Sequence, residues 1–413
     1  MQENSKAVKA GKNRITEQLS SHGKDLLMMI LLFSAALVLL LSLHALTGKS
    51  FAGPSYYNTY TRQAMAWREG ALHLPEDVPA LELAVYEGEY YVSFPPVPSL
   101  IELPLTFLFD MDTPDNLLMT IYIIVSLECL YLTLRKSGMR YVSSAAYAFM
   151  TCFCSCLLPL LMEGAVWYHA QVLAFMCITV SLFFFTFNHP AWGCVFYALS
   201  VGCRPFDVIY GPVLILLYLH RRKKEGWTVK RICRNMLPGI VFGLLIAAAY
   251  GAYNFVRFGN PLEFGHNYLP EFSFQGGVQF SIRHVANNAQ TFIFGMPFKM
   301  DGNALILNQF GFSFMLATPM LTIMMIFMII DAFKREFYLN KAIIGAAFFL
   351  HLFVLLLHRT FGGYQFGARY TCDLLPYAMI YLTQRKKQIT GAEITIGCFA
   401  LIFSIYGTMV IHL

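Results

Sequence analysis

Apolar residues in this chain come in long unbroken blocks, without the short periodicities of water-soluble helices and strands. The first block, Leu26 to Leu46, carries no Lys, Arg, Asp or Glu. A bilayer core about 30 Å thick takes roughly 20 helical residues at about 1.5 Å each. The block therefore predicts a spanning helix. It exceeds the roughly 7–15-residue apolar core of a cleaved leader, and no small-residue cleavage site follows, so it reads as a permanent anchor. Further spans are predicted at Leu117–Leu134, Tyr141–Leu161, Tyr168–Phe187, Met236–Val256, Phe312–Ile330, Lys341–Leu357 and Gly391–Ile411. Shorter apolar runs lie at Ala191–Cys203, Phe206–Leu219 and Cys372–Leu382, where helices can also pack half-buried inside a bundle. The pattern predicts an all-α polytopic membrane protein of about 11 transmembrane helices. Residues 1–25 form a polar cytoplasmic tail, and 26–413 form a single membrane domain.

Composition narrows this further. Hydrophobic residues make up 57% and charged residues 13%, against about 25% charged in ordinary soluble domains. A soluble globule is excluded. With the N-terminus inside, the segments before the first span and at Arg135–Arg140, His220–Arg234, Asp331–Lys341 and Gln384–Thr390 hold 21 of the 30 Lys and Arg. The other side holds 16 of the 24 acids. That asymmetry sets the orientation. It also accounts for the net charge of +6 as membrane topology, with no nucleic-acid partner.

The 10 cysteines lie mostly in or beside apolar spans and predict no disulfide framework. Cys152, Cys154 and Cys156 are two apart, which scatters them around a helix. No phosphate-binding glycine loop and no His-x-x-His metal helix is present. Two loops on the acidic side, about 49–116 and 257–311, are too long to be plain connections. The first is rich in aromatic residues. It predicts short helices lying on the membrane at Tyr60–Gly70 and at Val97–Phe109, the second introduced by the stiff run Phe94-Pro95-Pro96-Val97-Pro98.

Four stretches carry a resemblance. Tyr86-Glu87-Gly88-Glu89-Tyr90-Tyr91, running on into Phe94-Pro95-Pro96-Val97-Pro98-Ser99-Leu100, resembles a first-loop segment of bacterial integral-membrane glycosyltransferases of the GT-C superfamily. Asn254-Phe255-Val256-Arg257-Phe258-Gly259-Asn260-Pro261, closing on Gly265, is similar to their Asn-x-x-Arg-Phe-Gly segment. Phe366-Gly367-Ala368-Arg369-Tyr370, with Asp373 and Pro376, resembles another segment, and Arg204-Pro205 matches a mid-chain Arg-Pro. The resemblance covers nearly the whole chain in order and extends to the protein-mannosyltransferase and aminoarabinose-transferase types.

It implies a polyprenyl-phosphate-linked sugar donor, transfer outside the membrane with inversion, and an acceptor that is a glycolipid, a cell-wall polymer or a protein. Phosphate is a good leaving group, so the chemistry needs a base for the acceptor hydroxyl and cations for the departing phosphate. Members commonly carry an acid soon after the first span. This chain has Ser55-Tyr56-Tyr57-Asn58 there instead. Glu82, within Glu82-Leu83-Ala84-Val85-Tyr86, aligns with an acidic position of related sequences and is the first candidate base, followed by Asp77 and Glu76. Each is otherwise a solvated loop carboxylate.

Arg204, between two short apolar runs, costs roughly 2.5–3.5 kcal/mol if it faces lipid, so it needs a cavity and a partner. It is a phosphate contact, or a structural pair with Asp207. Arg369 with Tyr370 stands at a membrane edge as a donor contact, the alternative being a pair with Asp373. Arg257 is a third candidate donor contact, or else caps its helix. Glu163, His169 and Gln171 gather where two spans meet, lining the acceptor site or anchoring at the interface. They could hold a divalent metal, but their irregular spacing indicates none, and no cofactor is assigned. Two rival readings remain: a transporter or flippase of a lipid-linked saccharide, and a catalytically inactive relative serving as an assembly partner.

Overall fold

The computed structural model describes residues 2–270, 279–360 and 362–413, with only the backbone of 2–21. α1 (Gln2–Thr47) carries the first apolar block across. The loop that follows holds α2 (Thr59–Arg68), the hairpin β1 (Leu83–Tyr86) and β2 (Glu89–Val92), and α3 (Val97–Phe109). The hairpin closes through two residues, Glu87 and Gly88, both at positive φ (51° and 86°). That turn matches the right-handed twist of the paired strands.

α4 (Asp115–Lys136) and α5 (Tyr141–Phe153) follow. The span expected at Tyr141–Leu161 is broken. Its helix stops at Cys154, and a 3-10 turn over Leu158–Met162 carries the chain back toward the loops. α6 (Val166–Thr186) is the central helix, packing on α4 and on α7 (Pro190–Val201). α8 (Tyr210–Lys224) and α9 (Val229–Phe258) come next. Gly259, at φ +67°, terminates α9 and turns the chain into the second long loop.

That loop carries α10 (Ile282–Phe294) and the hairpin β3 (Phe298–Asp301) and β4 (Ala304–Leu307). α11 (Pro319–Phe333), α12 (Leu339–Leu357), α13 (Leu375–Arg385) and α14 (Gly391–His412) complete the chain. Among the described residues, six helices are long and apolar enough to cross a membrane: α1 from His22, α4, α6, α9, α12 and α14. α7 and α11 are shorter apolar helices. α5 and α13, at 13 and 11 residues, are too short to span and pack within the bundle. The protein is a multi-pass α-helical membrane protein.

Ion pairs tie the helix ends together on each face. On one face Asp331 holds Lys341 (2.8 Å) and Arg385 (2.5 Å), and Asp25 holds Arg135 (2.5 Å). On the loop-bearing face Lys49 reaches Glu163 (2.9 Å). Buried charges are tolerated in such settings because each is compensated.

Candidate functional site

A cavity of about 1280 Å³ opens where the helices meet the long loops. Arg204 and Arg369 line it on either side of Tyr370, and Glu82, Glu163 and His266 line it as well.

Arg369 opens the 3-10 turn Arg369–Leu374, directly after Gly367 (φ +67°) and Ala368. Its side chain is 5% exposed. Nε donates to the Gly362 carbonyl (3.0 Å), and Nη1 donates to Trp167 O (3.4 Å) and Gln171 Oε1 (3.3 Å). The guanidinium lies 5.0 Å from the Tyr370 ring centre and 5.5 Å from that of Tyr168. Among the described residues no carboxylate comes within ion-pair distance of it.

Asp373, four residues on, is committed elsewhere. Arg204 donates to its Oδ2 through Nε (2.9 Å) and Nη2 (2.7 Å), and Gln171 donates to its Oδ1 (3.2 Å). Asp207 is not the partner of Arg204. Residues 204–207 sit where the chain enters the 3-10 turn Pro205–Ile209, so they share no α-helical face. Arg204 also stands 5.3 Å from the Tyr370 ring, so both guanidiniums share one aromatic neighbour. One arginine is thus neutralised and the other is held only by neutral oxygens.

Glu82 is itself at positive φ (52°), which ends the approach to β1, and Ser93 Oγ donates to its carbonyl (3.1 Å). Its Oε2 accepts the Trp167 indole hydrogen at 2.7 Å, near the cavity mouth. Glu163 pairs with Lys49, and its Oε1 accepts from Ser55 Oγ (3.3 Å). Ser55 opens the Ser55-Tyr56-Tyr57-Asn58 stretch that follows the first span, so the structure joins that stretch to Glu163.

Glu76 and Asp77 are exposed ahead of β1 and do not line the cavity. Arg257 is buried behind the first hairpin, donating to Val92 O (2.9 Å) and Asn254 Oδ1 (2.9 Å). His169 is also one layer back. It lies 3.2 Å from Glu102 Oε1 through Nδ1 and 3.2 Å from Tyr122 OH through Nε2. Thr61 Oγ1 donates to Glu102 Oε2 at 2.6 Å and comes within 3.3 Å of Asp115 Oδ1. Burial, followed by the charge of Asp115, holds the Glu102 carboxyl well above the usual carboxylate range. This polar knot joins α2, α3, α4 and α6 behind the cavity wall. Its sequence signal was a lone acid inside the apolar run of α3.

Sequence reasoning also passed over His266 and Glu263, both on the cavity lining. They follow the turn at Gly259 and lie just within or beyond the Asn254–Gly265 stretch. Glu263 accepts from Gly265 N (2.6 Å) and Asn267 Nδ2 (2.5 Å). His266 Nδ1 is 2.6 Å from Ser93 O. Among the described residues no three His, Cys, Asp or Glu side chains gather as a metal-ligand set.

No protein-family profile matches the chain, and no curated protein sequence does. Solved structures do. The archaeal oligosaccharyltransferase AglB from Archaeoglobus fulgidus, in complex with an inhibitory peptide and a dolichol-phosphate, is 11% identical with a TM-score of 0.50, over 93% of this chain and 55% of that one. ArnT from Cupriavidus metallidurans bound to undecaprenyl phosphate is 12% identical with a TM-score of 0.48, over 86% of this chain and 59% of that one. The chain spans a little over half the length of either. At such identity the likeness is one of fold alone, a helical membrane architecture shared with the AglB structure.

Proposed function

We propose that this chain is a membrane glycosyltransferase that moves a sugar from a polyprenyl-phosphate-linked donor to an extracytoplasmic acceptor, with inversion. The observation that carries the reading is Arg369. Its guanidinium is buried at a cavity wall, held by neutral oxygens, with no carboxylate at ion-pair distance among the described residues. A buried cation without a counter-ion is costly. A phosphate supplies both the charge and the planar oxygen pair that a guanidinium fits. Arg204 stands across Tyr370 as a second cation whose charge Asp373 already offsets. This pairing tempers the site, so that the phosphate is held during transfer and released afterwards.

The donor's long apolar tail belongs among the helices, and the cavity opens where helices give way to loops. The fold shared with AglB in complex with a dolichol-phosphate supports the same donor class. The asymmetry of Lys and Arg supports a cytoplasmic N-terminus and a cavity on the outer side. A glycolipid, cell-wall polymer or protein acceptor then enters from the mouth, past Glu82 and Glu163.

The test is binding of undecaprenyl phosphate to the full chain in lipid nanodiscs. Saturable binding is expected. Arg369→Ala should weaken it about 10–100-fold, the value of a charged hydrogen-bonded contact. Arg369→Lys should recover little, since an ammonium lacks the planar fork. Wild type binding no better than Arg369→Ala would overturn the phosphate site. Release of undecaprenyl phosphate from a panel of undecaprenyl-phosphate hexoses then reads the transfer itself.

A further inference from the structure

Transfer requires a group to take the proton of the incoming hydroxyl, and among the described residues the carboxylates on the cavity lining are already engaged. Both Glu263 oxygens accept hydrogen bonds within their own turn. Glu163 is neutralised by Lys49. Glu82 lies exposed at the mouth with one oxygen given to Trp167. Resting on the transfer reading, we infer that His266 is the general base for the acceptor, acting through Nε2.

The argument begins with the tautomer. Nδ1 of His266 is 2.6 Å from the Ser93 carbonyl oxygen. A carbonyl only accepts, so Nδ1 carries the proton and Nε2 keeps its lone pair. Nε2 makes no hydrogen bond among the described residues, and it is absent from the sealed, unpartnered polar atoms of the interior. It therefore opens on the cavity that His266 lines. Phe94 meets the ring edge-on at 5.2 Å and 86°, which with the Ser93 contact fixes the ring plane. Ser93 also bonds the Glu82 carbonyl, so the candidate base and the mouth carboxylate hang from one residue.

The step balances within these groups. The acceptor O–H bond breaks and its proton goes to Nε2. The freed oxygen pair forms the bond to the anomeric carbon. The bond from that carbon to the phosphate oxygen breaks, and its electron pair leaves on the phosphate that Arg369 and Arg204 hold. The imidazolium then returns its proton to water through the mouth.

The charged groups around the ring act in both directions. Glu263 favours the imidazolium, while Arg204 opposes it, as does His358 when it is itself protonated. Burial prevails and holds the imidazole below its ordinary value, with the bond to Ser93 pulling the other way. His266 is then a neutral base around neutral pH.

His266→Asn tests this, because the Asn amide still donates toward Ser93 O while Nε2 is removed. In nanodiscs its affinity for undecaprenyl phosphate should stay within about threefold of wild type. Release of undecaprenyl phosphate from whichever undecaprenyl-phosphate hexose the wild type uses should fall on the order of 10²–10⁴-fold. Imidazole added to His266→Ala should restore part of the rate. Independently of any sugar, ¹⁵N-histidine NMR, assigned by difference with His266→Asn, should show protonated Nδ1 and bare Nε2 at neutral pH. A proton on Nε2, or wild-type turnover by His266→Asn, would overturn the inference. Absence of undecaprenyl phosphate binding in the wild type would instead overturn the donor reading, with the tautomer still readable.

Discussion

The Gly362 carbonyl accepts the Nε hydrogen of Arg369 at 3.0 Å, and a Cβ at Gly362 would lie 2.6 Å from that same Nε. Gly362 also sits at φ +103°, where only glycine is unstrained. One backbone position therefore both orients the guanidinium and forbids any side chain beside it. Gly362→Ala is expected to weaken undecaprenyl phosphate binding about 10-fold or more, close to the effect of truncating Arg369 itself. Lipid-phosphate titration of the folded variant measures this. Unchanged affinity would mean that Arg369 does not need this turn.

Asp373 gives a prediction with opposite signs for stability and binding. It is buried and compensates Arg204, so Asp373→Asn leaves an uncompensated guanidinium and should cost about 3–5 kcal/mol of stability. The same change frees Arg204 for a phosphate. Undecaprenyl phosphate should bind Asp373→Asn more tightly than wild type, and Arg204→Met less tightly. Thermal unfolding and lipid titration on the same nanodisc samples read both. Weaker binding in Asp373→Asn would make the pair a purely structural tie.

Glu82→Gln separates holding the acceptor from deprotonating it. Glu82 stands at the mouth, anchored through Oε2 to the Trp167 indole, which an amide oxygen can still accept. With His266 as base, the substitution should raise the acceptor KM severalfold and leave kcat within a few-fold of wild type. A kcat loss on the order of 10² or more would return the base to Glu82.

Much of this arrangement was legible from local pattern. The stiff Pro95-Pro96 pair and the apolar run after it marked α3 at Val97–Phe109, and the structure has it at the same residues. The resemblance motifs pointed to Arg204, Arg369, Tyr370 and Glu82, which share one cavity with Glu163. Long-range partners were not legible. Arg204 meets Asp373 across 169 positions, so its local neighbour Asp207 looked the better partner. His266 acquires a fixed tautomer only through Ser93, 173 positions away. The break of α5 at Cys154 lies inside an apolar stretch with no Gly or Pro at the break itself, so hydrophobicity alone extended it to a full span.

Glu102 should leave a signature in the pH dependence of stability. Its carboxyl is 1% exposed on α3 and is held well above the usual range by burial and then by Asp115. In the unfolded chain it titrates near its ordinary value of 4.5. Between that value and its raised folded value, the folded protein binds the proton that the unfolded chain has lost. Stability therefore falls as pH rises through this window. The contribution is fully present below the unfolded value and lost once pH has passed the folded one. Residues with depressed imidazoles, His266 among them, act in the opposite sense, so the wild-type profile alone does not isolate Glu102. Glu102→Gln does. The amide can still accept from Thr61 and face His169, but it has no proton to lose. The apparent Tm of the wild type, followed from about pH 5 to 8, should decline relative to that of Glu102→Gln, with the two converging toward the acid end. Parallel profiles would show that Glu102 is ionised in the folded protein, and the polar knot behind the cavity would then have to be held by an ion pair with His169.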